Sequence, residues 1–240
     1  MASWPRLAWG QQARVRLVYA DYQPFSWMDG DKPAGIEIDI ADELFGRRLG
    51  FKVEHRILPW ARAQHEVSVG EADAFFAAAT PARLEFAAPV GPTLLNWQVA
   101  AFARRNNTRF SANQELQLSQ LCAYRLGAVR GNGWVKTQLI CHDKVEPASS
   151  TDKLLHMLLL DRFELIIEDR LVLHSMAKKI QVDKQIRELK LNTESAAITL
   201  LLGLSSPLLK QTGRIEAALL SIVRDGSLQK MIQKHSGEAP

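Results

Sequence analysis

Apolar and polar positions in the first eighty residues alternate between strand spacing and helix spacing. The β-branched run 15–20 and the apolar run 74–79 have the composition of strands, the second one buried on both faces. Ile40 and Leu44 fall on one face of a helix that Asp39 can N-cap. The predicted order is strand 15–20, helix 39–49, strand 51–57, helix 61–69 and strand 74–79.

A second series with the same order begins after residue 124. Its central helix has leucines on one face, at Leu154, Leu155, Leu158 and Leu159. The predicted elements are strand 125–129, helix 133–140, strand 144–147, helix 151–160, strand 163–167 and helix 170–179. Because strands and helices alternate in both series, we expect an α/β fold with mixed, mainly parallel sheets covered by helices.

Two extended apolar segments, 96–102 and 196–204, connect the series, so the chain leaves a first lobe and later returns to it. Helices at 207–222 and 227–234 then pack on that first lobe. The predicted bounds are 15–101 and 196–236 for lobe 1, 102–195 for lobe 2, and 1–14 for an N-terminal tail. Two such crossings can act as hinges when lobes close around a ligand.

Composition narrows the class of protein. The 240 residues are 47% apolar and carry 30 basic against 26 acidic side chains, a net charge of +4, which is typical of a folded globular chain. The basic residues occur in pairs rather than in a stripe with aromatics, so nucleic acid is not an expected partner. No run approaches the ~20 apolar residues that span a bilayer, and we expect a monomer without membrane insertion.

The first ten residues lack the apolar core of a signal peptide. Removal of a signal, an incorrect gene start and an intracellular location are all compatible with this N-terminus.

The sequence has two cysteines, Cys122 and Cys141, and their spacing is not that of a metal site. Cys122 precedes the predicted strand 125–129, and Cys141 ends the helix after it. A helix that returns antiparallel to its strand brings these ends together, so a disulfide is one interpretation and would suit an oxidising compartment. Two unrelated small core residues are the other interpretation.

The sequence contains no motif for metal or serine chemistry. The six histidines are scattered, and neither His-Glu-x-x-His nor Gly-x-Ser-x-Gly occurs. The glycines after residue 130 do not complete a dinucleotide-binding motif, because Lys136 stands at the third glycine position. We therefore expect no cofactor, no metal and no catalytic residues.

Short motifs in a fixed order run across nearly the whole chain. They are Asp21-Tyr-Gln-Pro-Phe25, Gly35-Ile-Glu-Ile-Asp39, Leu58-Pro-Trp60, Gly70-Glu-Ala-Asp73, Thr80-Pro-Ala-Arg83 with Ala88-Pro89, Gly127-Ala-Val-Arg-Gly131, and 163–169. In these motifs the chain resembles the type II periplasmic solute-binding proteins, in the branch that binds polar amino acids for ABC importers. The resemblance implies two α/β lobes with a ligand cleft, an ABC permease or receptor as partner, and a periplasmic location.

The first candidate ligand-binding residues follow strand 74–79. Thr80 can N-cap a short helix that begins with proline, and Arg83 projects from its first turn. A guanidinium offers a planar fork to a carboxylate, and in the resembling family this arginine holds the α-carboxylate of the amino acid. A surface pair with Glu85 is the alternative. Ala78 departs from the family, which often has Ser or Thr there, so one hydroxyl contact to the ligand is missing.

The second group is the loop Arg130-Gly-Asn-Gly133, after strand 125–129. Its glycines let successive backbone N–H groups turn toward an anion. The resemblance implies that this loop supplies the second lobe's contact to the carboxylate. Asn132 stands where the family often has threonine, and an N-cap by Asn132 is compatible with a binding role.

The third group is Glu168 and Asp169, after strand 163–167. In the family, the acid at the position of Asp169 binds the amino group of the ligand, and its alternative role is to N-cap the next helix. We expect Glu168 to face solvent or a hinge. A zwitterion would neutralise Arg83 and Asp169 together, whereas a buried charge without its partner costs roughly 3–5 kcal/mol, so binding would favour closure.

Aromatic side chains would give the pocket its shape. Tyr22 matches a family position that stacks on the side chain of the ligand. Trp60 and Trp134 lie near strand ends and either line the same pocket or belong to the core.

The function implied by the resemblance is capture of a small polar ligand, an amino acid, for ABC-type import. Two alternatives share the fold. Cyclohexadienyl dehydratases eliminate water from prephenate or arogenate, a step for which Glu168 or Asp169 would be the general acid. Ligand-sensing modules of receptors bind a solute and signal to a partner protein.

Overall fold

A computed structural model describes residues 13–111, 114–130 and 132–236 of the chain. Most of the predicted tail 1–14, and Gly131 of the predicted binding loop, lie outside the described residues. The chain divides into two compact units. Unit 1 comprises the described residues up to Asp21, Ser26–Pro92 and Thr199–Met231, and unit 2 comprises Tyr22–Phe25, Thr93–Ile198 and the described residues from Ile232 on.

Strands and helices alternate along most of the described chain. The strands are β1 (Arg14–Tyr19), β2 (Trp27–Asp29), β3 (Lys32–Ala34), β4 (Lys52–Ile57), β5 (Ala74–Ala77), β6 (Ala87–Trp97), β7 (Val99–Arg104), β8 (Glu115–Gln117), β9 (Leu126–Val129), β10 (Glu146–Ala148), β11 (Leu165–Asp169), β12 (Ile186–Asn192) and β13 (Ala196–Gly203). The α-helices are α1 (Ile36–Ala41), α2 (Trp60–Ser68), α3 (Pro81–Leu84), α4 (Leu118–Leu121), α5 (Gly133–Gln138), α6 (Thr151–Leu159), α7 (Arg170–Lys179), α8 (Thr212–Arg224) and α9 (Ser227–Ser236). A π-helix, Asp42–Arg48, continues α1, and 3₁₀-helices occupy His142–Lys144, Asp183–Gln185 and Pro207–Gln211.

Unit 1 is built on a five-stranded sheet in the order β4-β1-β5-β13-β6. β1 pairs in parallel with β4 and β5, whereas β13 pairs antiparallel with β5. The central strand β5, Ala-Phe-Phe-Ala, is buried at all four positions, as expected of a strand covered on both faces. The chain leaves the carboxyl end of this central strand and continues into α3, which carries Arg83.

Unit 2 contains a six-stranded sheet in the order β10-β9-β11-β7-β12-β8. β9 is parallel to β10 and β11, and β7 is antiparallel to β11 and β12. Phe102 and Ile166 belong to one hydrophobic cluster, while their neighbours Ala101 and Ile167 belong to another. Because successive strand residues point to opposite faces, both faces of the sheet are covered. The predicted α/β fold with mixed sheets is thus confirmed.

The first predicted helix begins earlier than its pattern indicated. α1 starts after Gly35, whose φ of 132° favours glycine, and Asp39 lies inside the helix rather than at its N-cap. The predicted N-cap is therefore wrong. Ile36, Ile40 and Leu44 are all fully buried, so the apolar stripe extends one turn further toward the N-terminus than expected.

Three other predicted segments differ from the observed ones. The strand predicted at 163–167 is β11, two residues further toward the C-terminus, so Glu168 and Asp169 belong to the strand and do not follow it. The strand predicted at 144–147 is β10, shifted toward the C-terminus because a 3₁₀-helix occupies the residues before it. The extended segment 96–102 contains parts of two strands, β6 and β7, that are interrupted at Gln98. There the backbone N–H of Gln98 donates to Asp169 Oδ2 at 3.1 Å.

Cys122 and Cys141 form a disulfide in unit 2, with their Cα atoms 5.8 Å apart. Cys122 directly follows α4, and Cys141 packs against the hydrophobic cluster that contains Ala101. Across the described ranges, every helix is too short or too polar to cross a lipid bilayer.

Candidate functional site

Arg83 is held by neutral groups just after the central strand of unit 1. It lies in α3, a single turn that follows Thr80 and has Pro81 at its start. The Nε of Arg83 donates to Oε1 of Gln64 at 3.1 Å, and its NH1 donates to the carbonyl oxygen of Ala78 at 2.9 Å. Both acceptors are uncharged, so they fix the direction of the guanidinium without neutralising it.

The ring of Trp60 supports the same guanidinium. The guanidinium carbon of Arg83 lies 5.2 Å from the ring centroid of Trp60, which is a cation–π contact. Trp60 also makes an edge contact with Phe75 at 5.5 Å and packs against the hydrophobic cluster of unit 1. Trp60 is therefore both a core residue and a support for Arg83.

The charge of Arg83 has no partner in the described part of the chain. No carboxylate oxygen there lies within 4.0 Å of its guanidinium, and the alternative pair with Glu85 is not formed. Partial burial lowers the pKa of Arg83 from its ordinary value, through desolvation. Arginine remains protonated in proteins all the same, so the site presents a cation with a free NH2 group to an anion.

Asp169 and Glu168 end β11 in unit 2, and both are buried, at 3% and 2% exposure. Asp169 N-caps α7: its Oδ1 accepts from the N–H of Leu171 at 2.9 Å and of Val172 at 3.1 Å. Within the described residues, its Oδ2 accepts only from the backbone N–H of Gln98. The capping role is thus present, and Oδ2 keeps the capacity to accept a second hydrogen bond.

The prediction that Glu168 faces solvent or a hinge is wrong. Its Oε1 accepts from the hydroxyl of Tyr22 at 2.6 Å and from the backbone N–H of Asp169 at 2.8 Å. Within the described ranges, no Lys, Arg or His nitrogen lies within 4.0 Å of Glu168 or Asp169. Burial raises the pKa of Glu168 from 4.5 to about 7 and that of Asp169 from 3.8 to about 6. These two carboxyl groups therefore change protonation close to neutral pH.

Three aromatic rings pack together beside Glu168. The ring centroid of Tyr22 lies 5.8 Å from that of Phe25 and 5.3 Å from that of Trp97. Burial raises the pKa of Tyr22 well above its ordinary value, so its hydroxyl stays protonated and donates to Glu168. The indole Nε1 of Trp97 is buried without a hydrogen-bond partner in the described chain.

The loop after β9 adopts the capped arrangement that its sequence allowed. The side chain of Asn132 accepts from the N–H of Val135 at 3.1 Å and caps α5, which begins at the exposed Gly133. Trp134 packs against the hydrophobic cluster that contains Ala101, so its ring contributes to the core of unit 2.

A cavity of about 210 Å³ lies beside this loop in unit 2. Its lining includes three basic side chains, Arg130, Lys136 and His142, together with apolar groups such as Val129 and Val145. The basic side chains are exposed at the surface.

The structure thus assembles the predicted residues in separate groups. In unit 1, Trp60 and Ala78 contact the guanidinium of Arg83, and the carbonyl oxygen of Thr80 accepts from the backbone N–H of Arg83 at 2.9 Å. Thr80 occupies the N-cap position of α3, but its side chain makes no capping hydrogen bond, so that part of the prediction is wrong. In unit 2, Tyr22 and Asp169 are linked through Glu168. No three His, Cys, Asp or Glu side chains of the described residues are arranged to hold a metal ion.

A family model matches the chain over residues 15–238, and the family is described as bacterial extracellular solute-binding proteins, family 3. The chain belongs to this family. The resemblance seen in the sequence motifs is therefore confirmed. No curated protein is similar enough in sequence to match the chain.

Solved structures show the fold of this solute-binding protein at low sequence identity. A histidine kinase sensor domain with similarity to periplasmic binding proteins has a TM-score of 0.76 at 14% identity, covering 94% of this chain and 96% of that one. ArtJ, the arginine-, lysine-, histidine-binding protein of Geobacillus stearothermophilus, has a TM-score of 0.74 at 16% identity, covering 96% and 97%. An ABC uptake transporter substrate binding protein from Streptococcus pneumoniae with bound histidine has a TM-score of 0.74 at 18% identity, covering 94% and 93%.

Two residues at the candidate sites of this solute-binding protein, Gln64 and Trp97, were not predicted as such, and neither was the contact of Glu168. Gln64 follows Trp60 by four positions on α2, so helical spacing could have placed both side chains on one face. The contact of Glu168 with Tyr22 joins residues 146 positions apart, and no local pattern signals it. Trp97 reaches the aromatic group from the end of β6, again without a local signal.

Proposed function

We propose that this solute-binding protein captures an α-amino acid for ABC-type import. Arg83 binds the carboxylate of the ligand and Asp169 binds its amino group, so one zwitterion satisfies both charges. The observation that carries the proposal is the state of Arg83: a partly buried guanidinium, directed by two neutral acceptors and an aromatic ring, with no carboxylate of the described chain beside it. A cation held in this way is suited to an external anion.

The remaining predicted site residues have supporting roles in this proposal. Tyr22 and Trp60 limit the shape of the ligand, and the backbone of Ala78 directs Arg83. The loop residues contribute further contacts to the ligand; they are Arg130, Asn132, Gly133 and Trp134. Ligand binding would remove the cost of leaving buried charges without partners, roughly 3–5 kcal/mol, and would thereby favour a closed conformation.

We also propose a periplasmic location and a monomer that delivers its ligand to an ABC permease. The disulfide between Cys122 and Cys141 supports an oxidising compartment. ArtJ and the Streptococcus pneumoniae protein, which share the fold, are described as an amino-acid-binding protein and as part of an ABC uptake transporter.

Thermal unfolding against a panel of α-amino acids, polyamines and small carboxylates tests the proposal. A ligand present at a hundred times its Kd stabilises the folded state by about 2.7 kcal/mol. We expect stabilisation by one or more α-amino acids and much weaker stabilisation by the corresponding amino-acid amides. Stabilisation by polyamines alone, with no requirement for a carboxylate, would refute the assignment of Arg83.

Two substitutions of Asp169 separate its binding role from its capping role. Asp169→Asn keeps an N-cap oxygen for α7 but removes the negative charge, whereas Asp169→Ala also removes the cap, which costs about 1 kcal/mol. We expect both variants to lose ligand affinity. The alanine variant should lose more stability, because the asparagine loses only the acceptor for the Gln98 N–H and the alanine loses the cap as well. An asparagine variant that binds the amino acid as well as the wild type would contradict the role of Asp169.

A sensory role is the second candidate, because a histidine kinase sensor domain shares the fold over most of both chains. Import requires binding to a permease, whereas sensing requires binding to a sensor kinase. Purified permease and purified sensor kinase from the same genome can each be tested for ligand-dependent binding to the immobilised protein, and binding to the kinase alone would replace import with sensing.

The enzyme alternative is supported by one feature, the burial that raises the pKa of Glu168 to about 7, as a general acid requires. Incubation with prephenate, followed by absorbance of the aromatic product, tests it. Turnover that is lost in Glu168→Gln would establish dehydratase activity.

A further inference from the structure

Gln64 forms a hydrogen bond with one edge of the Arg83 guanidinium. A guanidinium has two edges that can bind a carboxylate through two parallel hydrogen bonds, one formed by Nε and NH2 and the other by NH1 and NH2. The single N–H of Nε is occupied by Oε1 of Gln64 at 3.1 Å. The edge formed by Nε and NH2 therefore cannot bind a ligand carboxylate through two parallel hydrogen bonds.

The remaining contacts of Arg83 leave the other edge partly free. NH1 has two hydrogens and donates one to the carbonyl oxygen of Ala78, at 2.9 Å. NH2 has no hydrogen-bond partner within the described chain. We propose that Gln64 is a positioning residue that directs a ligand carboxylate to the NH1 and NH2 edge of Arg83. The inference rests on the proposed function, in which Arg83 binds that carboxylate.

One helix supplies both restraints on the guanidinium. Gln64 lies four residues after Trp60 on α2, so the two side chains share a face of that helix. The Trp60 ring restrains the guanidinium through a contact of 5.2 Å to its centroid, while the amide of Gln64 restrains rotation through Nε. Trp60 is itself fixed by Phe75 of β5, so the restraint is continuous with the sheet core.

The chemistry of Gln64 suits this role because its amide oxygen accepts a hydrogen bond without adding charge. A glutamate at this position would keep the acceptor but would also neutralise Arg83. A methionine would keep the length and partial burial of the side chain but would release Nε. The two substitutions therefore change the charge and the direction of Arg83 separately.

Calorimetric titration of the purified chain tests the inference with the tightest-binding α-amino acid of the panel and with its carboxamide. The measured quantity is the affinity for the amino acid divided by the affinity for its carboxamide. We expect Gln64→Met to lower this ratio about 3- to 10-fold and Gln64→Glu to lower it further. The control His65→Ala, an exposed neighbour on α2, should leave the ratio unchanged.

A spectroscopic measurement separates positioning from general stability. The Nε–H resonance of Arg83, assigned by its absence in Arg83→Lys, should exchange with solvent more slowly in the wild type and in Gln64→Glu than in Gln64→Met. Equal loss of affinity for the amino acid and for its amide in Gln64→Met would overturn the inference, because a structural role alone produces that result.

The failure of this inference and of the proposed function are distinguishable. If Arg83→Ala abolishes amino-acid binding while both Gln64 variants keep the wild-type ratio, the inference is wrong and the proposed function stands. If the wild type binds no amino acid, or if Arg83→Ala binds as well as the wild type, the proposed function fails and the role of Gln64 fails with it.

Discussion

The basic residue of unit 1 and the acidic residues of unit 2 are held in opposite ways. Arg83 is partly buried, and neutral acceptors and a ring surround it. Glu168 and Asp169 are almost fully buried, and a phenol and backbone N–H groups donate to them. Neither group has an oppositely charged partner within 4.0 Å in the described chain.

The same physical cause, desolvation, has different consequences for the two groups. It lowers the pKa of Arg83 from its ordinary value, but that value is so high that arginine stays charged at any physiological pH. It raises the pKa of Glu168 to about 7 and that of Asp169 to about 6. The basic group is therefore a permanent charge, and the acidic groups are charges that depend on pH.

The buried Glu37 shows that unit 1 also contains a proton-sensitive group. It is 8% exposed, and its Oε2 accepts from the hydroxyl of Ser26 at 3.3 Å. Burial raises the pKa of Glu37 to about 8. The contrast between the units therefore concerns the candidate binding groups, not every ionisable side chain.

The largest expected effect comes from removing the permanent charge. Arg83→Ala should lower amino-acid affinity by about 100-fold or more, about 3 kcal/mol, because the ligand carboxylate loses its charged hydrogen bonds. Calorimetry measures the effect. Arg14→Ala, which removes an arginine whose side chain is 62% exposed and pairs with Glu54, is the matched control and should not change the affinity.

The disulfide should stabilise unit 2 more than unit 1, because both cysteines of the chain lie in unit 2. Its loss should lower the free energy of unfolding by about 3 kcal/mol, as estimated for a loop of this length, 19 residues. Hydrogen exchange with and without reductant measures the effect in each unit. Protection should fall mainly in unit 2, and an equal fall in both units would show that they unfold together.

Glu168→Gln tests whether the buried Glu168 makes the stability of the chain depend on pH. In the wild type, the folded pKa of Glu168 is about 7 against an ordinary 4.5, so between these values the folded chain retains a proton that the unfolded chain releases. Stability therefore falls as pH rises through this window. The variant should lack this part of the decline, on the order of 2 kcal/mol by pH 8.

Urea unfolding at pH 5 and at pH 8 measures this difference. In the variant, stability should still fall somewhat as pH rises, because the pKa of Asp169 is about 6 and that of Glu37 is about 8. Glu115→Gln, at an exposed position, should follow the wild type. A variant with the full wild-type decline would show that Glu168 does not titrate in this range.

The smallest effect is expected from Tyr22→Phe, which keeps the ring and removes the hydroxyl. The hydrogen bond from Tyr22 lowers the pKa of Glu168 against the effect of burial, so its loss should raise that pKa further. The cost in stability should be about 1 kcal/mol. Carbon NMR of the Glu168 carboxyl group measures the titration midpoint, which should move upward; a downward shift would contradict the contact.

Much of the fold followed from local patterns. α7 has its predicted bounds, 170–179, because the leucine and valine spacing and the preceding Asp169 define one face and one cap. β5 is buried as its unbroken apolar run predicted. The start of α1 was not predicted, because its N-cap residue is Gly35, which has no side chain to form a cap, and the fully buried Ile36 begins the helix one turn before Ile40.

Local sequence patterns were enough to predict the element types, the family and the charged residues at strand ends. Periodicity and motif order encode these features locally. The contact of Gln64 with one edge of Arg83 and the burial of Glu168 against Tyr22 became visible only in the folded chain. Those contacts join residues 19 and 146 positions apart, and the packing of sheets and helices fixes such distances, which no local spacing specifies.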